Sequence, residues 1–210
     1  MHDGTFPPEK IRNVVLDLGG VLYAIDPERT VTALTALAGP KASPMSMDHP
    51  LFLDFEMGLV SPNAFRDRLR AAIDSQADDG ELDNAWNALL LGPIPGRERW
   101  VADLAGRYRV ILLSNTNLIH REIWGPECAA MFAHMEQTWF SFDLGMRKPN
   151  RDIFDFVVGE MGLNADECLF LDDSPANVSG AIAAGWHSGL VLPQNDAHFE
   201  EYCLKLLGKL

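Results

Sequence analysis

Beyond residue 96 the chain alternates short apolar runs with stretches of helical length, and this alternation constrains the fold more than any other feature. Arg109-Val110-Ile111-Leu112-Leu113 and Cys168-Leu169-Phe170-Leu171 are too short and too uniformly apolar for amphipathic helices. They suit strands buried on both faces. A further strand is expected at 12–18, with weaker ones at 135–140 and 189–192. Helices are expected at 97–107, 151–161, 175–184 and 197–207. Strands separated by helices pair in parallel and are covered on both sides. The expected fold is therefore α/β, a doubly wound parallel sheet of Rossmann-like form.

Between the first strand and this alternating half lies a mostly helical stretch. Asp26-Pro27-Glu28 reads as a helix start, with Asp as N-cap, Pro in the first turn and an acid behind it. Ser61-Pro62 repeats the signal, and a third helix is expected at 81–91. Gly92-Pro93-Ile94-Pro95-Gly96 then breaks the chain. This divides the protein into an α/β core, 1–24 with 93–210, and an all-helical insert, 25–92. The polar, Pro-rich residues 1–10 read as a disordered lead-in without a signal peptide.

At 210 residues the chain is long enough for one substantial core with a small insert. Its 17 Lys and Arg against 30 Asp and Glu give a net charge of −13. Such a surface repels nucleic acid and anionic membranes, and no apolar run reaches the roughly 18 residues of a membrane span. A small anionic substrate is still allowed, because a metal and a few cations can dominate inside a cleft. Cys128, Cys168 and Cys203 are odd in number and widely spaced, which suits a reduced, cytoplasmic compartment. A monomer or weak homodimer is expected.

Ligands of open α/β sheets bind beyond the carboxyl ends of the strands. Here those ends carry Asp17-Leu18-Gly19-Gly20-Val21, Ser114-Asn115-Thr116-Asn117 and Asp172-Asp173-Ser174-Pro175, while Arg147-Lys148-Pro149 leads into the helix at 151. Each has a plain alternative: an Asx turn at Asp17, a solvated Lys148, a cap at Ser174. Taken together, two carboxylates, a hydroxyl and an ammonium describe a site for a metal and a phosphoryl group. Mg²⁺ takes oxygen ligands and commonly one or two protein carboxylates, which Asp17 and Asp172 can supply. Lys148 and Ser114 can hold phosphate oxygens, since phosphoryl transfer rests on positioning and charge stabilisation. A carboxylate nucleophile splits hydrolysis into formation and breakdown of an acyl-phosphate.

In this order, Asp17-Leu18-Gly19-Gly20-Val21-Leu22, Leu113-Ser114-Asn115, Lys148-Pro149 and Leu171-Asp172-Asp173 resemble the four motifs of the haloacid dehalogenase superfamily, in its members with a helical cap after the first strand. The resemblance implies a Mg²⁺-dependent phosphatase passing through an aspartyl-phosphate on Asp17. It implies Asp17, the Gly19 carbonyl, Asp172 and Asp173 around the metal, Ser114 and Lys148 on the phosphate, and a small phosphorylated metabolite as substrate. The Leu113–Asn117, Asp143–Pro149 and Asp172-Asp173 stretches are similar to a narrower branch, that of bacterial α-D-glucose-1-phosphate phosphatase and of phosphatase-like domains fused to acyl-CoA dehydrogenases. That similarity suggests a sugar phosphate.

One departure stands out. Most phosphatases of this superfamily carry a second Asp two residues after the nucleophile to protonate the leaving group, and here that residue is Gly19. A general acid is worth roughly 10²–10⁴-fold, so good leaving groups or a substitute acid are implied. His120 is the candidate substitute and substrate contact, weighed against a structural role. Asp26 reads as a cap, and His49 is a weaker candidate acid. Asn115, Asn117 and Asn177 either orient the site or shape turns, and Asn115 is also a candidate substrate contact. Glu56-Met57-Gly58 either faces the cleft or ends a helix, and the five Trp read as packing residues. Two rivals remain: a catalytically weak binding module, and a haloacid dehalogenase, against which the pair Asp172-Asp173 counts.

Overall fold

The structure, a computed structural model, describes residues 8–42, 45–192 and, further on, 199, 201–203, 205 and 207. In chain order its elements are β1 (Asn13–Leu16), β2 (Tyr23–Ile25), α1 (Pro27–Leu37), α2 (Pro50–Glu56), α3 (Pro62–Ala72), α4 (Asp79–Asn87) and β3 (Leu90–Pro93). There follow α5 (Arg97–Ala105), β4 (Arg109–Ser114), α6 (Leu118–Phe132), β5 (Gln137–Phe140), α7 (Ser141–Leu144), α8 (Arg151–Met161), β6 (Cys168–Asp172), α9 (Pro175–Ala183) and β7 (His187–Leu190).

Five strands form a parallel sheet in the order β5-β4-β1-β6-β7, with β1 at its centre. Side chains alternate across it with period two. Val14, Leu16, Val110, Leu112, Leu169 and Leu171 join one core with Trp100 and Val101 of α5 and Trp124 and Cys128 of α6. Val15, Ile111, Leu113 and Phe170 join another with Ile153, Phe154 and Val157 of α8 and Ala181 of α9. Burial on both faces explains why these strands read as unbroken apolar runs.

Helices α1 to α4 lie between β2 and β3 and share a third core, built on Phe52, Phe55, Phe65, Leu69 and Trp86. Phe55 stacks on Phe65 with ring centroids 4.1 Å apart. Asp26 and Ser61 cap α1 and α3 as expected, each followed by Pro in the first turn. The insert is not helical throughout, however. The helix expected at 81–91 stops at Asn87, and Leu90–Pro93 pairs antiparallel with Tyr23–Ile25. An apolar run such as Leu89-Leu90-Leu91 satisfies helix and strand alike, and only the partner strand decides.

Helix α6 has no counterpart in the sequence reading. Gly125-Pro126 looks like a break, yet Trp124, Cys128 and Met131 on its buried face hold the helix across it. The last strand begins at His187 rather than residue 189. The expected lead-in at 1–7 lies outside the described residues, as does part of the expected helix at 197–207, where Phe199, Cys203 and Leu207 are described and buried. Among the described residues no helix is long and apolar enough to cross a membrane.

Candidate active site

Strand β1 delivers Asp17 to the carboxyl edge of the sheet, where its N–H donates to the Leu171 carbonyl at 3.0 Å. The chain then turns sharply: the Leu18 carbonyl accepts from the N–H groups of Leu22 and Tyr23, both at 2.8 Å. Gly20 makes the turn at φ +71°, and a Cβ there would sit 2.2 Å from Asp173 Oδ2. Only glycine meets both demands. The neighbouring strand β6 brings Asp172 and Asp173 to the same edge, and carboxylate oxygens of Asp17, Asp172 and Asp173 all lie within 4.8 Å of one another.

Lys148 sits among them, fully buried. Its Nζ donates to Asp17 Oδ1 at 2.8 Å, to Asp172 Oδ2 at 2.6 Å and to the Leu113 carbonyl at 2.8 Å. All three ammonium protons are therefore engaged. Burial disfavours the ammonium, but Asp17 and Asp172 outweigh it and raise its pKa. Burial pushes Asp17 up to about 7, against the pull of Lys148 and with the push of Asp172. Asp173 is likewise raised to about 6, by burial and then by Asp172. Three acids around one ammonium leave an excess of negative charge, and a divalent cation with oxygen ligands fits that donor set.

The expected residues divide into those the fold gathers and those it does not. Asp17, Lys148, Asp172 and Asp173 meet. Ser114 ends β4, buried, and its hydroxyl has no hydrogen-bond partner among the described residues. Gly19, beside Asp17, bridges to Tyr23, and a Cβ there would lie 3.0 Å from Ile25 Cδ1. Asn115 instead grips the main chain of Lys148, accepting from its N–H at 3.0 Å and donating to its carbonyl at 2.9 Å. Asn177 donates to both oxygens of Asp172, at 3.0 and 3.1 Å. Ser174 caps α9, as expected, and its N–H also donates to Asp172 at 2.8 Å.

His120, the expected substitute acid, lies outside the acid group, in a cluster with Asn117 and Trp86. Its Nδ1 lies 2.9 Å from Asn117 Nδ2 and its Nε2 lies 3.2 Å from the Trp86 carbonyl. Nδ1 therefore accepts and Nε2 donates, so the ring is neutral with both nitrogens occupied. It stacks on Trp86 at 5.0 Å, and burial lowers its pKa to about 4. Asn117 caps α6 and accepts from Trp86 Nε1 at 3.3 Å, so this cluster fastens α6 to α4. His49 caps α2 through its ring nitrogen.

Two residues escaped the sequence reading. Ser141, just past β5, accepts from Thr116 N–H at 3.0 Å and donates to the Glu56 carbonyl at 2.6 Å. It stands at the carboxyl end of β5, where the strand-end rule points. Gly20 was quoted in a motif, but its contact with Asp173 needs the fold.

Comparisons with known proteins place the chain in a family. The family model for haloacid dehalogenase-like hydrolases matches residues 11–185. A D-ribitol-5-phosphate phosphatase of Bacteroides thetaiotaomicron is 27% identical over 206 residues, covering 94% of this chain and 99% of that protein. Among solved structures, a family enzyme of the same organism, in complex with magnesium and inorganic phosphate, superposes with a TM-score of 0.78 at 31% identity, covering 89% of this chain and 96% of that one. A hydrolase of Porphyromonas gingivalis reaches 0.83 at 29%, covering 94% and 98%. With its match running from the start of β1 through α9, over the strand ends that carry the acids and the loop that carries Lys148, the chain belongs to the haloacid dehalogenase-like hydrolase family.

Proposed function

We propose that this protein is a Mg²⁺-dependent phosphatase of small sugar or sugar-alcohol phosphates, acting through an aspartyl-phosphate on Asp17. The observation that carries the reading is the convergence of Asp17, Asp172 and Asp173 within 4.8 Å, with Lys148 bonded to two of them. The related D-ribitol-5-phosphate phosphatase and the neighbour holding magnesium and inorganic phosphate support it. In this reading residues 1–24 and 93–210 form the core, and helices α1 to α4 cap the site.

Asp17, Asp172 and Asp173 would hold the ion with the Gly19 carbonyl, and the ion would supply the positive charge that lets a carboxylate approach a phosphate dianion. Asp17 attacks phosphorus, the bond to the leaving oxygen breaks, and water then hydrolyses the acyl-phosphate to inorganic phosphate and free Asp17. Ser114 offers its hydroxyl to a phosphate oxygen. Lys148 fixes Asp17 and Asp172 and balances their charge, and Asn115 and Asn177 position Lys148 and Asp172. With Gly19 and Ile25 where an acid would stand, and His120 engaged elsewhere, the leaving group departs unassisted by a side chain or takes its proton from water. Anomeric, acyl and aryl phosphates are favoured on that account.

The test is phosphate release from ribitol 5-phosphate, glucose 1-phosphate, acetyl phosphate and an aryl phosphate, with Mg²⁺ or EDTA. We expect Mg²⁺-dependent turnover that Asp17→Asn lowers at least ~10³-fold, as for other lost nucleophiles. The missing acid favours one rival, a module that binds phosphorylated ligands without turning them over. Binding without release across the panel would establish it. Halide release from a 2-haloacid in EDTA would point to a dehalogenase instead.

A further inference from the structure

Helix α2 ends at Glu56, and its end is fastened to the core at three points. The Ser141 hydroxyl donates to the Glu56 carbonyl at 2.6 Å. Gly58, at φ +68°, brings its backbone so close to the Phe142 carbonyl that a Cβ would lie 2.2 Å from that oxygen. The Glu56 carboxylate accepts from Arg147 Nε at 3.3 Å and Nη2 at 3.1 Å, both on Oε2. Each side chain of this pair is only 23% exposed, so the pair is shielded in a way that surface pairs are not.

What these contacts reach is the reason to attach a role to them. Arg147 immediately precedes Lys148, whose main chain Asn115 holds from the β4 loop. Ser141 also binds Thr116 N–H in that loop. One helix end thus reaches the Lys148 loop directly through Arg147 and the loop after Ser114 by way of Ser141, and of these contacts only the Glu56–Arg147 pair joins two side chains. We propose that the Glu56–Arg147 ion pair is a latch that registers the helical insert against the Lys148 loop and so holds the substrate site in its binding-competent arrangement.

If only a fraction of molecules is latched, apparent affinity falls by that fraction while the bound complex reacts as before. Glu56 and Arg147 are positioning residues in this account and touch no reacting atom. It rests on the phosphatase reading for its kinetic test but not for its structural one.

The experiment is a double-mutant cycle with Glu56→Gln and Arg147→Gln, read by KM and kcat on the best phosphate ester of the panel and by hydrogen exchange of the α2 amides without substrate. Each single variant should raise KM about tenfold and change kcat less than about twofold, within the range of couplings between sites. Each should speed α2 exchange by a like factor, and the double variant should do no more than either single one, because both break the same interaction. A rise in KM for Arg147→Gln alone would overturn the latch and put the guanidinium on the substrate. Effects that multiply, or no effect in either variant, would overturn it too. If wild type hydrolyses no phosphate ester, the phosphatase reading fails and exchange alone decides the latch.

Discussion

The unfolded chain takes up a proton on His120 near the ordinary pH of 6.5, whereas burial beside Trp86 holds the folded ring neutral down to about 4. Protonation in this window therefore favours the unfolded state, and the stability tied to the neutral ring is present above pH 6.5 and lost as pH falls towards 4. The full shift corresponds to about 3 kcal/mol. His120→Gln should flatten that part of the stability curve, seen as a smaller loss between pH 7 and 5 in urea unfolding. An unchanged slope would show that the ring does not govern it. Gly20 gives a second prediction at this scale. Gly20→Ala forces both a left-handed backbone and a clash with Asp173, so it should cost at least about 1–3 kcal/mol. It should also weaken Mg²⁺ binding by ~10–100-fold in calorimetry, as loss of supporting contacts does elsewhere; unaltered affinity would free Asp173 from any part in the metal site. The residue types of the site were legible because acids and a hydroxyl stand at strand ends and a lysine leads into α8. Their bonding was not. That Lys148 uses all its protons on Asp17, Asp172 and Leu113, and that His120 is taken by Trp86 from the insert, are facts of long-range packing.

The same divide runs through the elements. β4, α8 and α9 are readable because each has a local signature: unbroken apolar burial, amphipathic spacing, or a Ser-Pro start. α6 and β3 are not, because their identity rests on partners. α6 runs through Gly125-Pro126 because its buried face packs under the sheet, and β3 is a strand because β2 lies beside it. Asn117 shows how much a single element boundary can carry. It caps α6, accepts from Trp86 Nε1 and donates to His120 Nδ1. A cap alone is worth about 1 kcal/mol, and each buried partner left unsatisfied adds about 1–3. Asn117→Ala, which removes the cap and leaves both Trp86 Nε1 and His120 Nδ1 unsatisfied, should therefore lower unfolding free energy by about 3 kcal/mol or more. Ser61→Ala, which removes only the cap of α3, should cost about 1. Equal losses in denaturant titration would mean that the Asn117–His120–Trp86 cluster does not tie the insert to α6.

At the scale of the whole molecule, charge decides how the protein responds to ions. A net charge of −13 makes any salt stabilising by screening, so a rise in melting temperature with Mg²⁺ proves little by itself. The acid cluster separates the two effects. Burial holds Asp17 near 7 and Asp173 near 6, so the folded, metal-free protein keeps protons there that the unfolded chain sheds near the ordinary 3.8. Those groups favour folding below about pH 4, and that contribution is lost as pH rises through 6 to 7, the opposite sign to His120. A bound divalent ion needs the deprotonated carboxylates and must displace these protons, so its affinity should climb over the same range. At a Mg²⁺ concentration about 100-fold above Kd the gain is about 2.7 kcal/mol, or roughly 5–10 °C for a chain of this size. We therefore expect Mg²⁺ to raise the melting temperature more at pH 8 than at pH 6, beyond NaCl of equal ionic strength. Asp172→Asn should abolish the Mg²⁺-specific part and leave the NaCl part intact. An identical Mg²⁺ increment in that variant would mean that the ion screens the acidic surface and does not bind between the acids.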